Sequence, residues 1–203
     1  MYLSHDLDTD NGYHNFQPDQ WNKTFDIFEK IKNRCTDILG DITEAKINDF
    51  IGKGRGCAIV VTEGGTPRPS KGIYRIGEFP IYDQYSDTFI ASQMADDQIK
   101  KLKTERKLVP DKAQRKDKFH ILSWTLTPEL AGAIKPLALE EAYDPLFWKA
   151  YADFTPISYP NVLLMDFIGA AGSNSTNELL ATAMAVNLQI ASQNCYVGGG
   201  TNV

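Results

Sequence analysis

The chain has no apolar run approaching the roughly 18 residues needed to cross a bilayer. Its longest, at 57–61 (CAIVV) and 162–165 (VLLM), are strand-sized. Any membrane contact is therefore expected to be peripheral. Basic residues are also short: 21 Lys and Arg stand against 26 Asp and Glu, for a formal net charge of -5. That balance gives no broad attraction to phosphate backbones, so nucleic acid is not an expected partner, and an anionic membrane is disfavoured. Cysteine is scarce, with Cys35, Cys57 and Cys195 in no CxxC spacing, which argues against zinc and against a dense disulfide framework. A single disulfide stays open. The first ten residues, MYLSHDLDTD, lack the basic and apolar regions of a secretory signal. Internal repeats and low-complexity tracts are missing as well.

What is present is ordinary globular composition, 42% hydrophobic and 23% charged over 203 residues, enough for one sizeable core. Short apolar runs alternate with amphipathic stretches, the rhythm of β/α units. Residues 1–4 read as a strand. Residues 19–32 set Trp21, Phe25, Phe28 and Ile31 at helical spacing. CAIVV at 57–61, bounded by Gly54, Gly56, Gly64 and Gly65, reads as a strand buried on both faces, with Glu63 at its end. FPIYDQY (79–85) is a short aromatic strand in which alternation puts Asp83 and Tyr85 on one face. Residues 94–108 form a lysine-rich helix, 119–126 (FHILSWTL) a strand, 142–154 a helix, and 162–167 (VLLMDF) the clearest buried strand. Residues 177–193 carry Leu180, Met184, Leu188 and Ala191 as a helix stripe with a cap at Ser175 or Thr176. Residues 196–203, with Gly198 to Gly200, read as a flexible tail after a domain at 1–195.

Buried charges cost several kcal/mol unless compensated. Asp166, following VLLM, therefore calls either for a structural partner or for a ligand. Glu63 and Asp83 likewise stand at strand ends, and a parallel sheet would gather all three at one mouth, where barrel enzymes place their reactive groups. With Tyr85 they suit either sugar hydroxyls or a hard cation such as Ca²⁺. The three histidines form no HxH or HExxH pattern. His120 reads as a packing residue. His5 is the one placed for chemistry, and reads equally as an exposed polar side chain. Sequons at Asn22 and Asn174 lend weak support to secretion, hence to an extracellular location.

Taken together, these segments resemble the catalytic X-domain of phosphatidylinositol-specific phospholipase C, especially its secreted bacterial and fungal forms, from Met1 to about Cys195. Gly54-Arg55-Gly56 with the following strand is similar to the family's "RGK" and strand, and Ile81-Tyr82-Asp83-Gln84-Tyr85 to its "QDxY" strand. Residues 120–125 (HILSWT) resemble the seventh strand and 161–168 (NVLLMDFI) the eighth. The resemblance implies an α/β fold of the (β/α)8 TIM-barrel type, here strands four to eight with their helices. It implies that Asp166 orients the general-base histidine, and that Asp83 and Tyr85 contact or frame an inositol ring. Residues 1–6 fit the family's fourth strand better than the strand of its second catalytic histidine, which makes His5 a replaced pocket residue rather than the catalytic acid.

In the family one histidine takes the proton from the inositol 2-hydroxyl, which attacks phosphorus in line, while another protonates the departing diacylglycerol oxygen. Strands one to three, with their GTHD-like segment, are expected outside this chain. The implied function is that of a phosphoric diester hydrolase or lyase acting on a phosphoinositide-like substrate, inactive as this chain alone and completed by an N-terminal half or by self-association. Glu63 stands where secreted bacterial members carry an arginine, which leaves open Ca²⁺ use, another headgroup or an inactive relative. The alternatives are a non-catalytic module binding polyols or inositol phosphates, and glycoside hydrolysis by Glu63 and Asp166.

Overall fold

The computed structural model describes residues 1–3, 7–8, 14–36, 42, 45–51, 56–64, 71–127, 148–150, 152–165 and 172–197. The chain divides into two compact units, Met1–Pro80 and Ile81–Val203.

In the first unit, helix α1 (Pro18–Glu29) begins where Pro18 supplies a preset φ, and the Gln20 side chain accepts the Gln17 amide at 2.7 Å. Its spacing buries Trp21, Phe25 and Phe28 on one side, as the sequence predicts. Trp21 stacks on Phe25 with centroids 5.5 Å apart. These rings pack with Val60 and Ile73 into an aromatic core. Each fully buried ring contributes roughly 2–3 kcal/mol of transfer free energy. The helix ends under the Arg34 guanidinium, which donates to the Phe28 carbonyl at 2.8 Å and the Ile31 carbonyl at 3.3 Å.

Strands β1 (Tyr2–Leu3), β4 (Val60–Thr62) and β5 (Ile73–Arg75) form a parallel sheet in the order β1-β4-β5, with Tyr2 opposite Val61 and Val61 opposite Tyr74. All three β4 residues are buried; Val60 and Val61 close the CAIVV run, whose first three residues lie before the strand and are half-buried. A disulfide joins Cys35 to Cys57 across 22 residues. Beside it the Cys35 amide donates to the Ala58 carbonyl at 3.0 Å, so the staple reinforces an edge that is already hydrogen-bonded.

Two features of this unit depart from the sequence reading. A short antiparallel pair, β2 (Leu7–Asp8) with β3 (His14–Asn15), and helix α2 (Ile47–Ile51) add to the single helix, 19–32, read between the first strand and the CAIVV run. Strand β5 is also unforeseen. Gly72 just before it has φ of 83°, a left-handed conformation, and a Cβ there would meet the Arg34 Cβ at 2.9 Å.

In the second unit, β6 (Ile81–Asp83), β7 (Phe119–Trp124) and β8 (Val162–Met165) form a wholly parallel sheet in the order β6-β7-β8. Helix α3 (Ala91–Glu105) crosses between β6 and β7 and buries Met94, Ala95, Gln98, Ile99 and Leu102. Four of these pack with Leu122, Trp124, Leu126 and Met165 into a second core.

Helix α4 (Gly172–Val197) begins before Ser175 and Thr176, so neither caps it. It extends through Tyr196 and Val197, the first two residues of the expected tail. Its stripe is present but not packed: Leu180, Met184 and Leu188 are all exposed. Periodicity identified the helix, while burial depends on a neighbour that periodicity does not specify.

The fold is therefore mixed α/β with parallel pairing of the strands singled out in the sequence. Among the described residues the strands form two separate three-stranded parallel sheets and one small antiparallel pair, and no closed barrel. No described helix is long and apolar enough to cross a membrane.

Candidate functional site

In a parallel sheet every strand delivers its last residue to the same edge. In the second unit that edge receives Asp83 from β6, Ser123 and Trp124 from β7, and Met165 from β8. Trp124 lies opposite Met165, so the β7 and β8 ends are level.

The Asp83 carboxylate is half-buried, and its Oδ1 accepts the Ser123 hydroxyl at 3.0 Å. Ser123 is fully buried and fixed from below: its amide donates to the Gln98 Oε1 at 3.1 Å. The Gln98 Nε2 in turn donates to the Gln84 carbonyl and to the Ser86 Oγ, both at 2.8 Å. A single buried amide thus clamps helix α3, strand β7 and the segment leaving β6. Its oxygen and both amide hydrogens have partners, which is what makes a polar side chain tolerable at a core position. The result is a carboxylate at the sheet edge whose backbone is anchored on both sides.

Tyr85 is exposed, and its backbone carbonyl accepts the Lys101 ammonium at 2.6 Å. Strand β6 stops at Asp83, so the two-residue alternation that would put Tyr85 on the same face no longer applies there. The strand is thus shorter than the 79–85 read from the sequence.

Glu63 belongs to the first unit. It follows β4, its carboxylate accepts the Tyr2 hydroxyl from β1, and its amide donates to the Leu3 carbonyl at 3.2 Å. It is exposed, at the C-terminal edge of its own parallel sheet. Asp166, which follows β8 in the sequence, and His5 both lie outside the described residues.

His120 is fully buried in β7 and stacks on Tyr82, with ring centroids 4.9 Å apart and planes 12° apart. Neither ring nitrogen has a hydrogen-bond partner among the described residues. Burial, and secondarily the Arg106 charge, push its pKa down to about 4. It is a buried packing residue, matching its sequence reading. Burial likewise raises the Tyr82 hydroxyl above its usual value, with the Glu105 and Asp97 charges adding to the effect.

Two residues of the site escaped the sequence reading. Gln98 carried a signal: it stands at a core position of the α3 stripe, four residues after Met94 and four before Leu102, where an uncharged polar side chain needs a buried partner. Ser123 interrupts an otherwise bulky strand in the same way.

A calcium ion takes about six to eight oxygen ligands. The Asp83 carboxylate and Ser123 hydroxyl fall well short, and among the described residues no three His, Cys, Asp or Glu side chains gather to hold a metal. The chemistry the edge does offer is hydrogen-bond acceptance: a fixed, part-exposed carboxylate beside a hydroxyl can take two donors from adjacent hydroxyls of a polyol.

Compared with family models, with curated proteins and with solved structures, the chain matches none, so the likeness to phospholipase C rests on the quoted residues alone.

Proposed function

We propose that this chain supplies the headgroup-binding wall of a phospholipase C-like phosphodiesterase, its parallel strands corresponding to the later strands of a (β/α)8 barrel. The observation that carries the reading is the Asp83 carboxylate, held at a strand end by Ser123, which is itself held by buried Gln98. A carboxylate fixed before the ligand arrives loses little entropy on binding, and it orients ring hydroxyls rather than merely attracting charge. In the proposed reaction the inositol 2-hydroxyl attacks phosphorus, its proton passing to a histidine. The P–O bond to diacylglycerol breaks as a second histidine protonates the leaving oxygen, giving a cyclic phosphodiester.

Buried His120 fills neither histidine role, and the catalytic histidines are proposed to lie outside this chain, which then binds headgroup without turnover. The Cys35–Cys57 disulfide supports an oxidising, extracellular setting for the protein.

Calorimetry with myo-inositol 1-phosphate, paired with a phosphatidylinositol cleavage assay, tests this. Binding should be measurable and Asp83→Asn should weaken it by about 10- to 100-fold, the scale of one charge-assisted hydrogen bond. No cleavage should accompany it. Absence of binding would overturn the headgroup reading, and cleavage by this chain would overturn the claim that the catalytic histidines are not among its residues.

A further inference from the structure

Helix α4 is unlike the rest of the chain in charge. Across the whole sequence 23% of residues are charged, yet the 26 residues of Gly172–Val197 include one charged residue, Glu178, and no Lys or Arg. A surface helix ordinarily turns its apolar stripe inward and its charged and polar residues outward. From Leu180 to Ser192 α4 does not follow that rule. Thr182 is buried and Ala183, Val186 and Ile190 are half-buried, all within one arc of the helix. The opposite arc carries Leu180, Met184 and Leu188, which are 59%, 55% and 67% exposed. Single exposed aliphatic residues are common on proteins, but three in one row form a patch.

The row has a definite shape. Residues four apart make a continuous ridge along a helix, and Leu180, Met184 and Leu188 are such a ridge. Beside it run Ala181 and Ala185, also exposed, whose methyl groups leave a shallow groove along the larger side chains. In the commonest helix packing the ridge of one helix lies in the groove of another, at a crossing angle of about -50°. One face of α4 therefore carries both halves of that fit.

The spacing also selects the partner. From Met184 the next ridge residue in either direction is a leucine. A second α4 turned end for end thus sets each Leu180 beside the other copy's Leu188, and Met184 beside Met184. A two-fold contact requires this self-complementarity, because one surface must be its own partner. Antiparallel alignment also opposes the two helix dipoles, which is favourable. No side chain from 180 to 192 is charged, so no charge is desolvated in the contact.

A lipid surface fits this face less well. Helices that lie in a bilayer interface carry Lys or Arg on their polar side to meet the headgroups, and α4 has neither. A nucleic acid would need the same cations for its phosphates.

We propose that the exposed face of α4 pairs with the same face of a second copy of this chain, the two helices antiparallel about Met184. This goes beyond the headgroup reading and does not depend on it, because Asp83, Gln98 and Ser123 lie on other elements. One helix face is at the small end of protein interfaces, so the dimer is weak and forms in the micromolar range.

Sedimentation velocity of the whole chain, from low micromolar to submillimolar concentration, tests the proposal. Wild type should pass from monomer to dimer and no further, since a two-fold contact uses up its surface. Met184→Lys should raise the dimer dissociation constant on the order of 100-fold, by setting two cations together in an apolar contact. Met184→Glu alone should do the same, and an equimolar mixture of the two variants should dimerise again. That rescue also shows that both variants fold. Ile27→Lys, at an exposed aliphatic residue of α1, should leave the dimer unchanged. A monomer at every concentration, a dimer insensitive to Met184→Lys, no rescue in the mixture, or partition onto phosphatidylcholine vesicles in place of self-association would overturn the proposal.

Discussion

Glu63 and Asp83 occupy equivalent positions, each at the C-terminal edge of a three-stranded parallel sheet, yet the two sheets support them differently. Glu63 is exposed and touches a tyrosine of the neighbouring strand, over a core made mostly of aromatic rings and stapled by a disulfide. Asp83 is half-buried and braced through Ser123 to an amide in the centre of an aliphatic core. The difference teaches that delivery of a carboxylate to a strand end is a property of topology, whereas its preorganisation is a property of what lies beneath the strand. One unit devotes its interior to stability, and the other gives part of its interior to polar groups that hold the site.

The largest expected effects come from the cores themselves. Phe25→Ala should cost about 3–5 kcal/mol and Leu122→Ala about 2–5 kcal/mol. In amide exchange, the first should lower protection mainly within Met1–Pro80 and the second mainly within Ile81–Val203, and equal losses in both would erase the contrast between the units. Replacing both bridged cysteines, Cys35→Ser/Cys57→Ser, should cost roughly 3 kcal/mol for a loop of this length. Denaturation with and without reductant measures it. The amides of β7 should stay protected while those of β4 loosen.

The acid response should belong to the second unit. His120 is held neutral when folded, down to a pKa of about 4, but takes up a proton near 6.5 when unfolded. Between those values the unfolded state binds more protons, so stability rises with pH across the window and is lost as pH falls through it. The loss should be on the order of 3 kcal/mol. His120→Phe keeps a ring against Tyr82 and removes the titration, so its stability should vary less between pH 6.5 and 4, as read by urea midpoints. An unchanged slope would show that His120 is not the group responsible.

The smallest effect on stability, and the most informative about the site, is expected from Gln98→Ala. It leaves the buried Ser123 amide without its acceptor at a cost of about 1–3 kcal/mol. It should also weaken myo-inositol 1-phosphate binding, while Glu63→Gln, outside this network, changes neither quantity.

The sequence revealed what repeats locally. The spacing of Trp21, Phe25 and Phe28 announces α1, and the apolar runs of β4, β7 and β8 announce strands, because burial on one face or on two leaves a period in the chain. Strand β5 left no such trace: Ile73, Tyr74 and Arg75 are too few to show a period, and their strand character comes from pairing with β4. The Cys35–Cys57 pairing could not be picked from three cysteines. Asp83 was legible as a polar residue closing a strand, but its support was not. Ser123 lies 25 residues from Gln98 and 40 from Asp83, and only the packing of α3 against the sheet and the β6–β7 register bring them together.

The most direct test of the central claim is amide and side-chain NMR of the whole chain titrated with myo-inositol 1-phosphate. The account predicts saturable shifts at Asp83 to Ser86, at Ser123 and at the Gln98 side-chain amide, with Glu63 and its neighbours silent. Shifts centred on Glu63, or none at the β6 and β7 ends, would contradict it.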